Sequence, residues 1–197
     1  SPSRYRKKAI TTISATDGTM LDRVRITWGA ITGATSYTVY RAGGQIATVT
    51  RATYDDMAAT AGLSYIYCVR ANGSGFSSSD TACDPGGKFS APPVVTASEG
   101  SFTDRVQLTW TYTSKYETGM RIIRHDLNAS RFDTVATGIA GSTTSYSDNG
   151  AQPGTIYEYC VEAYNASISA KGCDPIGWRA ADGTVDGSVQ TQSLAAS

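Results

Sequence analysis

Four cysteines and one histidine are the side chains with the widest chemical repertoire in this 197-residue sequence. Cys68 lies in "YIYCVRANGSG", beginning at Tyr65, and Cys160 in the similar "YEYCVEAYNAS", beginning at Tyr157. Cys83 and Cys173 come next, each opening a "CDP" triplet, after 14 and 12 intervening residues. Spacings that wide lack the close cysteine pairs of zinc sites, and no C-x-x-C redox motif occurs. If Tyr65 points into a core, strand alternation also turns Tyr67, Val69 and Ala71 inward and sends Ile66, Cys68 and Arg70 outward. The second stretch then buries Tyr157, Tyr159, Val161 and Ala163, with Glu158, Cys160 and Glu162 outside. An outward cysteine is open to oxidation, and the spacing to its follower is one hairpin long. The expected pairing is Cys68–Cys83 and Cys160–Cys173, one bridge per repeat across an outer sheet face. Metal binding by the four thiols is the competing reading. Disulfides place the chain outside the reducing cytosol, extracellular or at the cell surface.

Catalytic chemistry has few candidates. His125 stands alone, and an isolated histidine in a loop is most often a solvated side chain. The sequence has no G-x-S-x-G elbow, phosphate-binding loop or histidine pair at metal spacing. No catalytic residue, cofactor or metal is therefore assigned. The turns "TDGTMLD" (16–22) and "SDNG" (147–150) carry oxygen ligands that suit a weak Ca²⁺ site, but Asp, Asn and Gly also make such turns unaided. Binding is better served. Tyr112 and Tyr116 lie in "TYTSKYETG" (111–119), where the first repeat has only "GAITGAT", and Tyr164 lies in "AYNAS". Aromatic rings on such loops stack on sugars or fill a partner's pocket, so these three are candidate protein or glycan contacts. The alternative is that Tyr112 and Tyr116 pack over the end of their own domain. Asn72, Asn128 and Asn165 head Asn-x-Ser sequons, which matter only where the source glycosylates.

The elements that position these residues occur twice. "SATDGTMLDRVRITW", ending at Trp28, is answered by "TASEGSFTDRVQLTW", ending at Trp110. "TVYR" and "RIIR" come next, then "TYDD" and "SYSD", then the two cysteine strands, with about nine residues gained in the second copy between Arg124 and Tyr146. Val24, Ile26 and Trp28 alternate with polar residues, as do Val106, Leu108 and Trp110; period two means a half-buried antiparallel strand. Short strands with turns every 8 to 12 residues read as a β-sandwich. Two tandem all-β domains are expected, 9–87 and 88–178, between a basic N-terminal tail (1–8) and a C-terminal tail (179–197). With 17 basic and 17 acidic residues, the charge balance offers nothing to nucleic acid. No apolar run reaches the roughly 18 residues of a membrane span. The chain does not begin with Met and carries no signal peptide, so it reads as a piece of a longer product.

The order of a Trp-ending strand, "GATSYTVYR", "TYDD" and "GLSYIYCVRA", repeated as "LTW", "MRIIR", "SYSD" and "GTIYEYCVEA", resembles fibronectin type III domains of bacterial secreted proteins. The resemblance covers about residues 9 to 178 and implies a fibronectin type III-like (immunoglobulin-like) sandwich. It also implies a tyrosine corner at Tyr65 and Tyr157, each hydroxyl meeting nearby backbone. The cysteines depart from the family, which usually lacks disulfides, and its integrin-binding Arg-Gly-Asp tripeptide is absent. The function implied is that of a non-catalytic extracellular module that spaces, displays or adheres, with protein or glycan partners. The other reading is a self-assembling filament or sheath subunit. Its basic and acidic ends would stack head to tail, and residues 179–197 would dock as an edge strand on a copy of itself.

Overall fold

The computed structural model describes residues 8–74, 81–113 and 115–181, and among them there is no helix. In the first half, β1 (Ile13–Ala15), β2 (Val24–Trp28) and β5 (Thr53–Asp56) form a sheet in the order β1-β2-β5. The facing sheet runs β4-β3-β6-β7, from β3 (Ala34–Arg41), β4 (Gly44–Val49), β6 (Tyr65–Gly73) and β7 (Ala82–Gly86). The second half repeats the plan. β8 (Val94–Ala97), β9 (Val106–Thr111) and β12 (Ser145–Asp148) face the sheet β11-β10-β13-β14, built from β10 (Gly119–Asp126), β11 (Arg131–Ile139), β13 (Tyr157–Tyr164) and β14 (Ser169–Gly177). All pairings within the sheets are antiparallel.

Alternation builds both cores. Val24, Ile26 and Trp28 of β2 are buried with Arg25 and Thr27 exposed between them, and β9 buries Val106, Leu108 and Trp110 with Gln107 half-buried and Thr109 exposed. Trp28 and Trp110 are equivalent, each donating its backbone N–H to a carbonyl just ahead of the next strand, Ala52 at 3.1 Å and Thr144 at 2.9 Å. One core draws on residues from Ile10 to Ala71, the other on residues from Phe89 to Ala170, with none in common. The "CDP" triplets tie sheet to sheet: Asp84 accepts the Ala15 N–H at 2.8 Å and Asp174 the Ala97 N–H at 2.9 Å.

Both disulfides form as expected, Cys68–Cys83 and Cys160–Cys173, each pair directly opposite in register. The thiols are thereby consumed, and the metal-binding alternative falls. In β6 the alternation is clean, with Ile66 and Arg70 exposed and Tyr67, Val69 and Ala71 buried. β13 departs from it, because the outward Cys160 and Glu162 are buried too. Their cross-strand neighbours explain this: Ile123 and Cys173 flank Cys160, while Arg121 and Lys171 flank Glu162. Arg121 Nε donates to the Glu162 carboxylate at 2.6 Å. Long side chains laid along an outer face shield it from water without making it core.

The extra residues of the second copy form one long hairpin. Relative to β3 and β4, two extend β10, two lengthen the turn, three lengthen β11 and two precede β12. Of the C-terminal tail, residues 179–181 are described and belong to the second sandwich. Ala180 N–H donates to Phe102 O at 2.8 Å, and Arg179 donates to Ala151 O and Thr103 O. The expected edge-docking strand lies outside the described residues, as does all of the basic N-terminal tail except Lys8.

Candidate functional site

In each sandwich one buried aspartate is held by the same set of partners. Asp56 accepts hydrogen bonds from Tyr67 Oη at 2.8 Å, Arg41 Nη1 at 2.7 Å and the Ala58 N–H at 3.0 Å. Asp148 repeats the set with Tyr159 Oη at 2.8 Å, Arg124 Nη1 at 2.9 Å and the Gly150 N–H at 2.9 Å. Burial, reinforced by the adjoining carboxylate, pushes both phenols well above the ordinary tyrosine range. A carboxylate held by three donors and closed to solvent is not open to a substrate or a Ca²⁺ ion. The "SDNG" turn is accordingly closed by its own Asp148. "TDGTMLD" has its Asp22 on Arg23 at 2.6 Å. These six residues are the ends of "TVYR", "RIIR", "TYDD" and "SYSD" and the second tyrosines of the two cysteine strands. Their repetition was legible in the sequence, but their meeting was not.

The two corner tyrosines behave differently. Tyr157 makes the expected corner, accepting the Gln152 N–H at 3.1 Å. Tyr65 does not: its ring lies beneath the Arg41 guanidinium at 5.2 Å and edge-on to Tyr67, and no hydrogen bond from the described residues engages its hydroxyl. The difference tracks burial, since Tyr157 is buried and Tyr65 only half so. His125 stacks on Phe132 with centroids 3.8 Å apart, and its Nδ1 lies 3.3 Å from Glu158. Glu158 also approaches the two sulfurs of Cys160 and Cys173, but disulfide sulfurs are not metal-binding thiolates.

The three candidate contact tyrosines divide. Tyr164 stays on its own sheet, beside the Arg121 guanidinium at 5.8 Å. Tyr112 and Tyr116 point to the junction with the first sandwich. A shallow hollow of about 200 Å³ there is lined by Tyr112, Thr111, Thr113, Pro92 and Val94 together with Ala61 of the first sandwich. Tyr116 goes further and lies on Gly18 and Gly87: a Cβ at Gly18 would overlap the Tyr116 Cβ, and one at Gly87 would overlap its hydroxyl. That hydroxyl is shut off from solvent. Burial raises its pKa, the Ser64 hydroxyl of the first sandwich opposes the rise, and the Asp17 charge adds to it. Asn165 closes the arrangement, its Nδ2 donating to Gly18 O and to Tyr116 O, both at 3.0 Å. Phe89 stitches the two sandwiches: its N–H donates to Met20 O at 2.8 Å while its ring is fully buried in the second core. The loop read as a candidate contact, or as packing over the end of its own domain, seats Tyr116 against the first sandwich.

Strand orders of three and four, the paired core tryptophans and the Tyr157 corner together decide the architecture. Each half is a fibronectin type III-like sandwich. No protein-family model matches the chain. Chitinase A1 of Niallia circulans is 28% identical over 163 residues, covering 76% of this chain, and the chain spans only 22% of that enzyme. Among solved structures, a two-domain fibronectin type III segment of chicken tenascin matches with a TM-score of 0.46 and 16% identity, over 85% of this chain and 99% of that one. The chicken interferon gamma receptor alpha chain matches at 0.41 and 11% identity, over 87% and 100%. No helix among the described residues is long and apolar enough to cross a membrane.

Within these fibronectin type III-like domains the sequons are not equivalent. Asn165 is committed to the joint, and Asn72 Nδ2 donates to Thr38 Oγ1 at 2.9 Å. Asn128 is exposed in the long hairpin's turn, where its backbone, not its side chain, is held by Asp126.

Proposed function

We propose that this chain is a non-catalytic extracellular module whose work is to hold the parts of a longer secreted protein at a set spacing and orientation. The joint carries this reading. A flexible tether needs no aromatic ring seated on two glycines and no asparagine bonded across the junction, whereas contacts of this kind fix the orientation of a rigid spacer. The disulfides support an oxidising compartment. The likeness to part of a chitinase supports a setting beside polysaccharide-degrading machinery. The buried carboxylates, being satisfied, support a role without chemistry.

Distances between labels on the two domains test it, measured by pulsed electron resonance on the intact chain. A single narrow distribution is expected; a broad one would remove the spacer reading. Release of soluble sugar from chitin by the chain alone would remove the non-catalytic one.

One observation favours a second, compatible role in glycan contact. The long hairpin holds Phe132 out at 64% exposure, with His125 stacked on one face of the ring. A ring braced in this way suits stacking on a sugar. Co-sedimentation of the chain with insoluble chitin, lost on Phe132→Ala, is the expected result. Equal retention of both proteins would end it.

A further inference from the structure

The socket that receives Tyr116 exists twice, and the two copies are filled differently. In the first domain, Gly18 N–H donates to Gly87 O at 2.9 Å and Gly87 N–H to Thr16 O at 2.9 Å. In the second, Gly100 N–H donates to Trp178 O at 2.8 Å and Trp178 N–H to Ser98 O at 3.0 Å. Gly100 therefore corresponds to Gly18, and Trp178 to Gly87. Both floor glycines have left-handed backbone, φ +60° at Gly18 and +71° at Gly100, so each floor lacks a Cβ for a conformational reason as well. Over Gly100 lies the Trp178 indole, close enough that a Cβ there would overlap its ring. Over Gly18, where Gly87 offers no side chain, lies Tyr116 of the following domain.

One aromatic ring on one glycine floor is thus the common solution, supplied from within in the second domain and from the next domain in the first. We infer that this socket is the docking device of the tandem, that its partner is an aromatic side chain of the succeeding domain, and that Trp178 closes the second domain's copy. The joint is directional and is not repeated: a domain of the same kind placed after residue 181 finds its socket occupied. This goes beyond the spacer reading, since it stands whatever the tandem spaces.

Nuclear magnetic relaxation of the intact chain, reporting a rotational correlation time for each domain, tests it. The native chain should give one shared time. Tyr116→Ala should let the domains tumble separately, the time per domain falling about twofold because each has roughly half the mass, with both sets of core amide signals kept. Trp178→Ala should lower the melting temperature of the second domain and leave the shared time unchanged. A longer chain, with a second copy of residues 88–181 placed directly after Ala181, needs no substitution in either socket. Its third domain should tumble on its own. Rigid docking of that third domain, a Tyr116→Ala chain that still moves as one body, or a Trp178→Ala chain whose domains separate would each overturn the inference.

Discussion

Asp56 and Asp148 show how a residue with catalytic chemistry becomes structural. Each carboxylate is held by a phenol, a guanidinium and a backbone N–H, so removing one donor weakens the set without stranding the charge. Tyr67→Phe and Tyr159→Phe should each cost about 1 to 2 kcal/mol in the domain that carries it, read by denaturant unfolding at neutral pH. The same phenols set an alkaline limit. Their folded pKa values lie above the unfolded one, so their contribution is complete below about pH 10 and is lost as pH rises beyond it. The Phe variants should lose stability less steeply above that pH than the native chain. At the acid end, hydrogen bonds from Arg25 and then Arg23 hold Asp55 down to about 2. Its contribution is present above the ordinary value of 3.8 and fades as pH falls towards 2. Arg25→Gln should flatten the acid slope of the first domain and leave the second untouched.

Among the elements, the β6–β7 and β13–β14 pairs are closed by disulfides that span 15 and 13 residues in sequence. Closing loops of that size stabilises by about 3 kcal/mol each in the chain-entropy account. Reduction should lower both thermal transitions and keep the β-type circular dichroism, because the cores do not include the sulfur pair of β6 and β7 and are built from the opposite sheet face. A reduced chain that loses one domain's fold altogether would show that its bridge is needed for folding as well as for stability. The β10–β11 hairpin is the other distinctive element. Its length comes from residues absent in the first copy, and it spends them on an exposed aromatic ring.

For the molecule as a whole, the joint concentrates its hydrogen bonds on Asn165. Asn165→Ala removes donors to Gly18 O and Tyr116 O and the acceptor of the Ser167 and Ile168 N–H groups, so it should widen the interdomain distance distribution and lower the second domain's transition, while the first stays within about 1 kcal/mol of native. A glycan on Asn165 would do the same by replacing one amide hydrogen and adding bulk at the junction. Removing residues 182–197 should leave both transitions in place, since the two core clusters of the described residues run from Ile10 to Ala71 and from Phe89 to Ala170. Assembly by that segment, the basis of the filament reading, would appear as a change in sedimentation on the same deletion.

The repeat, the strand period and the cysteine pairing were determined by sequence, because each depends on separations along the chain: a two-residue alternation, one hairpin length, one offset between copies. The tertiary structure decided what depends on separations through space. Arg41, Asp56 and Tyr67 lie on three strands of two sheets, and nothing local says that they meet. Burial of Glu162 comes from the reach of Arg121 on a neighbouring strand. Sequence left Tyr116 between a partner contact and packing on its own domain, because its seat is made by Gly18 and Gly87 of the first domain, visible only as missing side chains. A socket defined by what two glycines lack has no signature in the sequence until the fold puts a ring in it.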